Sequence, residues 1–305
     1  MPNWVGRPAD PRSMLERITH TDTQLALVLT QRRQIAQIVA RESAEMLVGR
    51  PAGFRVEVVR RLVRPVANHV AGRFIMYDRA LGEAGLRHGS AWIVDDATGG
   101  LAVEGRERVP ARGPLLVVAN HPGISDAVAL LAALGRDDAW IVTANYPFLR
   151  AMRLASRRFL FVSDHRADRL SDFRRIVSRL RSGETVLVFP AGGLELDPAL
   201  SRAAALASLA TWSRSIELLA RLVDDTVVVP AAISGVVSRS AFDHRLSRHR
   251  DPPKERQRMA TLLQLAFPRY RANCVTIRFG EPIRGDARDV HAAVIEAMHA
   301  LIGVA

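Results

Sequence analysis

Apolar residues recur at helical spacing through the first third of the chain, then give way to short apolar runs separated by glycine, proline and polar loops. Leu25, Val28, Leu29, Ile35, Ile38 and Val39 predict one helix, opened by a capping box at Thr21 to Gln24 and ended by Gly49-Arg50-Pro51. A second helical pattern spans about Phe54 to Leu86, with a break predicted at Pro65. It carries Arg55, Arg60, Arg61, Arg64, Arg73 and Arg79 among its apolar residues. A basic amphipathic pair of this kind suits packing on a main domain and lying on a membrane surface equally well. A short hairpin-like segment, Leu101 to Gly105, follows.

From Leu115 onward the periodicity alternates between strand and helix. Strands are predicted at 115–119, 140–144, 159–162, 185–189, 226–230 and 275–279. Helices are predicted at 127–134, 147–155, 169–182, 203–223, 254–265 and 289–302, and the Arg-rich stretch 239–253 reads as an exposed loop. Alternation of this kind implies an α/β fold with a mixed, largely parallel central sheet flanked by helices and an N-terminal helical appendage. The division expected is 1–100 for the N-terminal helical region and 101–305 for the α/β domain.

Composition adds three constraints. The single cysteine, Cys274, excludes an internal disulfide, and no basic n-region with an apolar h-region opens the chain, so a cytoplasmic location is expected. No stretch reaches the roughly 18 to 20 apolar residues needed to span a bilayer. The net charge is +12, and Lys254 is the one lysine among 43 basic residues. Arginine in such excess favours phosphate through bidentate contacts, which opens anionic lipid, nucleic acid and phosphorylated small molecules as partners. No groove-reading motif accompanies the charge, so nucleic acid is not expected.

The sharpest chemical signal is the end of the first core strand, where Leu115 to Ala119 runs into Asn120-His121-Pro122-Gly123-Ile124-Ser125-Asp126. A histidine delivered to a loop by a buried strand can accept a proton near neutral pH, and a carboxylate bonded to its second nitrogen would fix the tautomer. By itself a His-x4-Asp spacing is common. No nucleophile elbow, Walker loop, dinucleotide glycine triplet or spaced Cys/His metal set competes with it.

Three further strand ends complete a set with the first: Phe159 to Arg166, Val188 to Gly193, and Val228 to Gly235. In this order the four resemble the blocks of the glycerolipid acyltransferase family, typified by the 1-acylglycerol-3-phosphate acyltransferases. Val275 to Ile283 resembles the strand and turn that follow, and the likeness covers roughly Val103 to Ile283. It implies acyl transfer from an acyl-CoA or acyl carrier protein thioester to a lysophospholipid or related lipid, with His121 as general base and Asp126 orienting it. Asn120, Arg166, Ala191, Gly192 and Gly193 are implied to lie at the substrate, the glycine turn offering backbone N–H groups to a phosphate or oxyanion. His165 and Arg169 compete with Arg166 for the phosphate.

No cofactor or metal is implied beyond the thioester co-substrate. An anionic membrane surface is the expected partner, with the protein peripheral on the inner face of the cell membrane. The third block departs from the family's usual Phe-Pro-Glu-Gly-Thr-Arg, reading Phe189-Pro190-Ala191-Gly192-Gly193-Leu194. It is closer to the hemolysin-like branch, whose Phe-Pro-Ala-Gly it shares and whose tryptophan in the next helix Trp212 would match. The same departure raises the alternative of a catalytically inactive lipid-binding or scaffold relative.

Overall fold

The computed structural model of the protein describes residues 22–48, 54–163, 165 and 167–303. The Thr21 to Gln24 cap, the Gly49-Arg50-Pro51 stop and Arg166 fall outside the described residues or side chains.

Three helices precede the sheet: α1 (Asp22–Val48), α2 (Phe54–Glu83) and α3 (Gly85–Ala97). The break expected at Pro65 does not occur, and α2 runs through it. Pro65 and Arg61 are both exposed, so the Arg61 carbonyl left without its helical partner is reached by water. The apolar pattern does not predict the third helix, because His88, Gly89 and Ser90 are weak helix formers. Tertiary burial of Leu86, Ile93 and Val94 overrides that preference.

The expected hairpin is instead an edge strand, β1 (Gly100–Glu104). There follow β2 (Leu115–Ala119), α4 (Asp126–Leu134), β3 (Ala139–Ala144), α5 (Pro147–Ala151), β4 (Phe159–Val162), α6 (Arg169–Arg181) and β5 (Thr185–Val188). The long helix expected at 203–223 is interrupted. Arg202–Ser208 (α7) and Ser215–Arg221 (α8) are separated by a 3-10 turn and by Trp212, which is buried and whose extended backbone (ψ 135) ends the helical path. Next come β6 (Val227–Ser234), α9 (Arg239–Phe242), α10 (Arg245–Arg248) and α11 (Pro253–Ala266), then β7 (Cys274–Phe279), β8 (Ile283–Arg284) and α12 (Val290–Gly303). The stretch expected to be an exposed loop is therefore largely helical, anchored by buried Ala241, Phe242 and Ser247.

Among the described residues eight strands form one sheet in the order β1-β7-β6-β2-β5-β3-β4, with β8 beside β6. Only β6 pairs antiparallel, with β7 and β8; every other pairing is parallel. β6 extends four residues beyond Pro230 because the proline lies where its partner changes. β8 pairs at Val227 and Val228, β7 from Ala231 onward, and the Pro230 carbonyl accepts from Gly280 N–H in the gap. The missing proline N–H thus costs no ladder bond.

β2 is buried on both faces and lies at the centre of the sheet. Leu115, Val117 and Ala119 join α4 and residues of the N-terminal helices, including Ile35, Val70 and Phe74, in one core. Leu116 and Val118 face the other core, built with α6, α8 and α12. Burying each such Leu or Val contributes roughly 1.5–3 kcal/mol. Because β2, β4, β5 and β6 run parallel, their C-terminal ends open on the same edge of the sheet, the usual place for a ligand in such folds.

Candidate active site

The loop leaving β2 places His121 and Asp126 together. His121 Nδ1 donates to Asp126 Oδ2 at 2.6 Å. Gly123 N–H donates to the same oxygen at 2.9 Å, and Ala127 N–H donates to Oδ1 at 2.6 Å. Asp126 opens α4 and is fully buried, so the helix N-terminus and three donors compensate its charge. The carboxylate can only accept, which puts the ring proton on Nδ1 and leaves Nε2 free to take one.

His121 keeps 30% of its side-chain surface exposed, and its ring stacks on Phe189 at 4.7 Å between centroids. Burial alone would lower the imidazole's pKa. The charge and hydrogen bond of Asp126, with the charge of Glu195, outweigh burial and hold it above the ordinary 6.5.

The loop's path depends on close backbone approach. A Cβ on Gly123 would come within 2.9 Å of Val236 Cγ1, so any larger residue would displace the loop. Asn120 is not at the opening. Its side chain is buried, with Nδ2 donating to the Ile233 carbonyl and Oδ1 accepting from Ile233 N–H, both at 2.8 Å. Both ends of the amide are taken up in clamping the end of β2 to β6, so Asn120 helps position the loop.

Sequence reading missed Glu195, Asp197 and Gln257, all of them almost completely buried. Glu195 Oε2 accepts from His121 N–H at 2.8 Å, and Glu195 N–H returns a bond to the His121 carbonyl at 2.9 Å. Gln257, from α11, donates to the carbonyls of Pro122 and Glu195 and accepts from Asp197 N–H. Asp197 in turn caps the end of β6 through Gly235 and Val237 N–H. The available signal was Leu194-Glu195-Leu196-Asp197, acids alternating with apolar residues beside no base.

The third block lies beside the first through the Phe189 ring. Beyond it Gly192 adopts φ +66, and Gly192 and Gly193 are exposed, with nothing within 4 Å of an added Cβ. Ala191 is half-buried. Behind the second block, Arg175 of α6 donates to the Phe161 carbonyl and to Asp172. His165 is exposed.

A buried carboxylate orients a partly exposed histidine at the C-terminal edge of the parallel strands, an arrangement chemically suited to taking a proton at Nε2. Residues 100–234 match the family model described as Acyltransferase. The matched segment runs from β1 to the end of β6 and contains the whole His121 loop. Among solved structures, the chain is similar to the 1-acyl-sn-glycerophosphate acyltransferase PlsC from Thermotoga maritima. That likeness has a TM-score of 0.44 and 16% identity, covering 92% of this chain and 95% of that one. No curated protein matches the chain.

Proposed function

We propose that the protein transfers a fatty acyl group from an acyl-CoA or acyl carrier protein thioester to a hydroxyl of a lysophospholipid or related lipid, with His121 as general base. The observation carrying this reading is the His121–Asp126 pair at 2.6 Å inside an acyltransferase domain. Nε2 takes the proton of the acceptor hydroxyl, and the oxygen so freed attacks the thioester carbonyl. That attack forms the C–O bond and a tetrahedral intermediate, whose collapse restores the carbonyl and breaks the C–S bond. The departing thiolate takes the proton from the imidazolium, which returns His121 to its neutral form. Asp126 keeps the ring in the productive tautomer and stabilises the cation. A base so placed contributes about 10² to 10⁴ in rate, and juxtaposition of the two substrates supplies much of the remainder. Gly192 and Gly193 offer unobstructed backbone to the acceptor's polar group, and Arg166 is the proposed phosphate contact of the second block.

Purified protein is expected to release free thiol from an acyl thioester only when a lysolipid acceptor is present. His121→Ala abolishes that release while leaving the circular dichroism spectrum unchanged. Thiol release undiminished in the variant would remove His121 as the base.

The same reading places the protein on an anionic membrane surface through its first two helices. Among the described residues no helix is long and apolar enough to cross a membrane. Yet α2 exposes Phe54, Val58 and Leu62, four residues apart, with exposed Arg55, Arg61 and Arg64 alongside. A stripe of this kind is suited to the lipid headgroup boundary. Leu62→Ser is expected to reduce co-sedimentation with anionic liposomes several-fold and to leave turnover of a water-soluble acceptor unchanged. Undiminished sedimentation would move the membrane face elsewhere. Point variants are the right probe, because other residues of α1 and α2 share the core beneath the sheet and truncation would expose it.

A further inference from the structure

Glu195 belongs to none of the four blocks, yet it touches the proposed base more intimately than any residue except Asp126. Its carboxylate is 1% exposed and accepts from three neutral donors: His121 N–H on Oε2, and Ser208 Oγ–H at 2.6 Å and Trp212 Nε1–H at 2.9 Å on Oε1. The backbone of Glu195 is bonded to the His121 and Gln257 positions as well. Of the titratable groups, His121 bonds it directly, Asp126 sits on the far side of the His121 ring bond, Asp197 follows two residues along the chain, and His291 of α12 meets the Trp212 carbonyl; Ser208, Trp212 and Gln257 are neutral.

No cation contacts this carboxylate among the described residues. A buried anion with neutral donors alone is an expensive arrangement unless a positive charge arrives near it. In acyl transfer one does, when the His121 imidazole takes the acceptor's proton.

We propose that Glu195 is a positioning residue of the acyl transfer, acting through His121 by fixing its main chain and by favouring the imidazolium through space. The proposal rests on His121 being the base. It gives His121 two buried carboxylates, Asp126 on the ring and Glu195 on the backbone. Trp212, at the break between α7 and α8, is placed to give its indole N–H to this carboxylate.

Glu195→Gln is nearly isosteric, but its single oxygen cannot serve both the His121 amide and the Ser208–Trp212 pair, and its NH2 meets a donor at one end. The expected result is a fall in kcat of at least tenfold with KM for the thioester changed less than about twofold. The acidic limb of the kcat/KM profile is expected to move to lower pH, because the imidazolium loses a stabilising charge. The same shift is expected for the His121 ring in an NMR titration, which needs no turnover. Trp212→Phe keeps an aromatic ring and removes one donor; it is expected to move the limb by a smaller amount, and it stands in if Glu195→Gln does not fold. If neither folded variant moves the limb or the NMR titration, Glu195 is packing only and the proposal fails. The NMR titration separates this failure from that of the base assignment. A shifted His121 titration in Glu195→Gln, beside full activity in His121→Ala, would retain the coupling and remove the mechanism.

Discussion

Two loops leave neighbouring strands of the same sheet and end a few residues apart in register, and they are built in opposite ways. β2 and β5 pair with Val118 opposite Val188, and each then runs into a proline-glycine turn. The loop after β2 is tied at almost every polar atom: Asn120 to Ile233, His121 to Glu195 and Asp126, and both Gly123 and Ala127 to Asp126. The turn after β5 has one internal bond, Gly192 N–H to the Phe189 carbonyl, and one outward tie, Ser213 N–H to the Pro190 carbonyl, with open space around its glycines. On the proposed function, the contrast would separate two tasks. Proton transfer requires atoms held within a few tenths of an ångström, so its loop is over-determined. Contact with an acceptor headgroup can vary between substrates, so its turn is free to lose side chains without disturbing the base.

If that division holds, the largest effects must come from the first loop. His121→Ala is expected to reduce kcat/KM by about 10² to 10⁴ with the fold retained. Asp126→Asn is expected to approach that loss while also destabilising the protein by about 1–3 kcal/mol, since an amide cannot accept from His121, Gly123 and Ala127 together. Its pH profile is the more telling measurement. If His121 is the base it must be neutral to act, and since Asp126 and Glu195 hold its pKa above the ordinary 6.5, kcat/KM is expected to rise with pH through a midpoint above that value. Loss of the Asp126 charge lowers the imidazole's pKa and moves the midpoint down. A profile that stayed in place would mean that the observed group is not His121.

The same contrast explains what was legible in the sequence. Strand periodicity located β2, β4 and β5 nearly to the residue, because buried parallel strands read as unbroken apolar runs. The His121 and Asp126 spacing was legible for a related reason: five residues are what one short loop into a helix needs to bring them together. Asn120 is implied at the substrate by the resemblance of its Asn-His pair, and nothing in one dimension shows that its amide also pairs with Ile233. Glu195, Asp197 and Gln257 were invisible as a group, since they come from segments 60 or more residues apart brought together by packing. α3 and the break at Trp212 escape the periodicity because tertiary burial overrides local preference there.

Glycine substitutions test the contrast by stability alone. Gly123→Ala forces a Cβ within 2.9 Å of Val236 and is expected to cost about 1–3 kcal/mol, with loss of activity as the His121 loop shifts. Gly192→Ala meets no neighbour within 4 Å, and its cost comes from φ +66 alone, about 1–2 kcal/mol. Thermal unfolding is expected to rank Gly123→Ala below Gly192→Ala, and thiol release to fall far more in the former. Equal activity losses would show that the chemistry depends on the turn no less than on the loop.

The smallest effect is the most specific. Leu194 stands where the family's usual motif has an arginine, in a half-buried position at the end of the exposed turn. If the turn meets only the acceptor, Leu194→Arg adds one solvated cation to a surface that a phosphate would approach. A screened surface charge is worth about 0.2–1 kcal/mol, so KM for a phosphate-bearing lysolipid should fall about 1.5- to 5-fold. The gain should shrink as salt is raised, and KM for an uncharged acceptor and the thioester should not move. Steady-state kinetics with one charged and one neutral acceptor at two ionic strengths decides the matter. A uniform change in kcat across both acceptors would instead mean that the charge is felt at His121, and the separation between a rigid base and an adaptable acceptor turn would no longer describe this site.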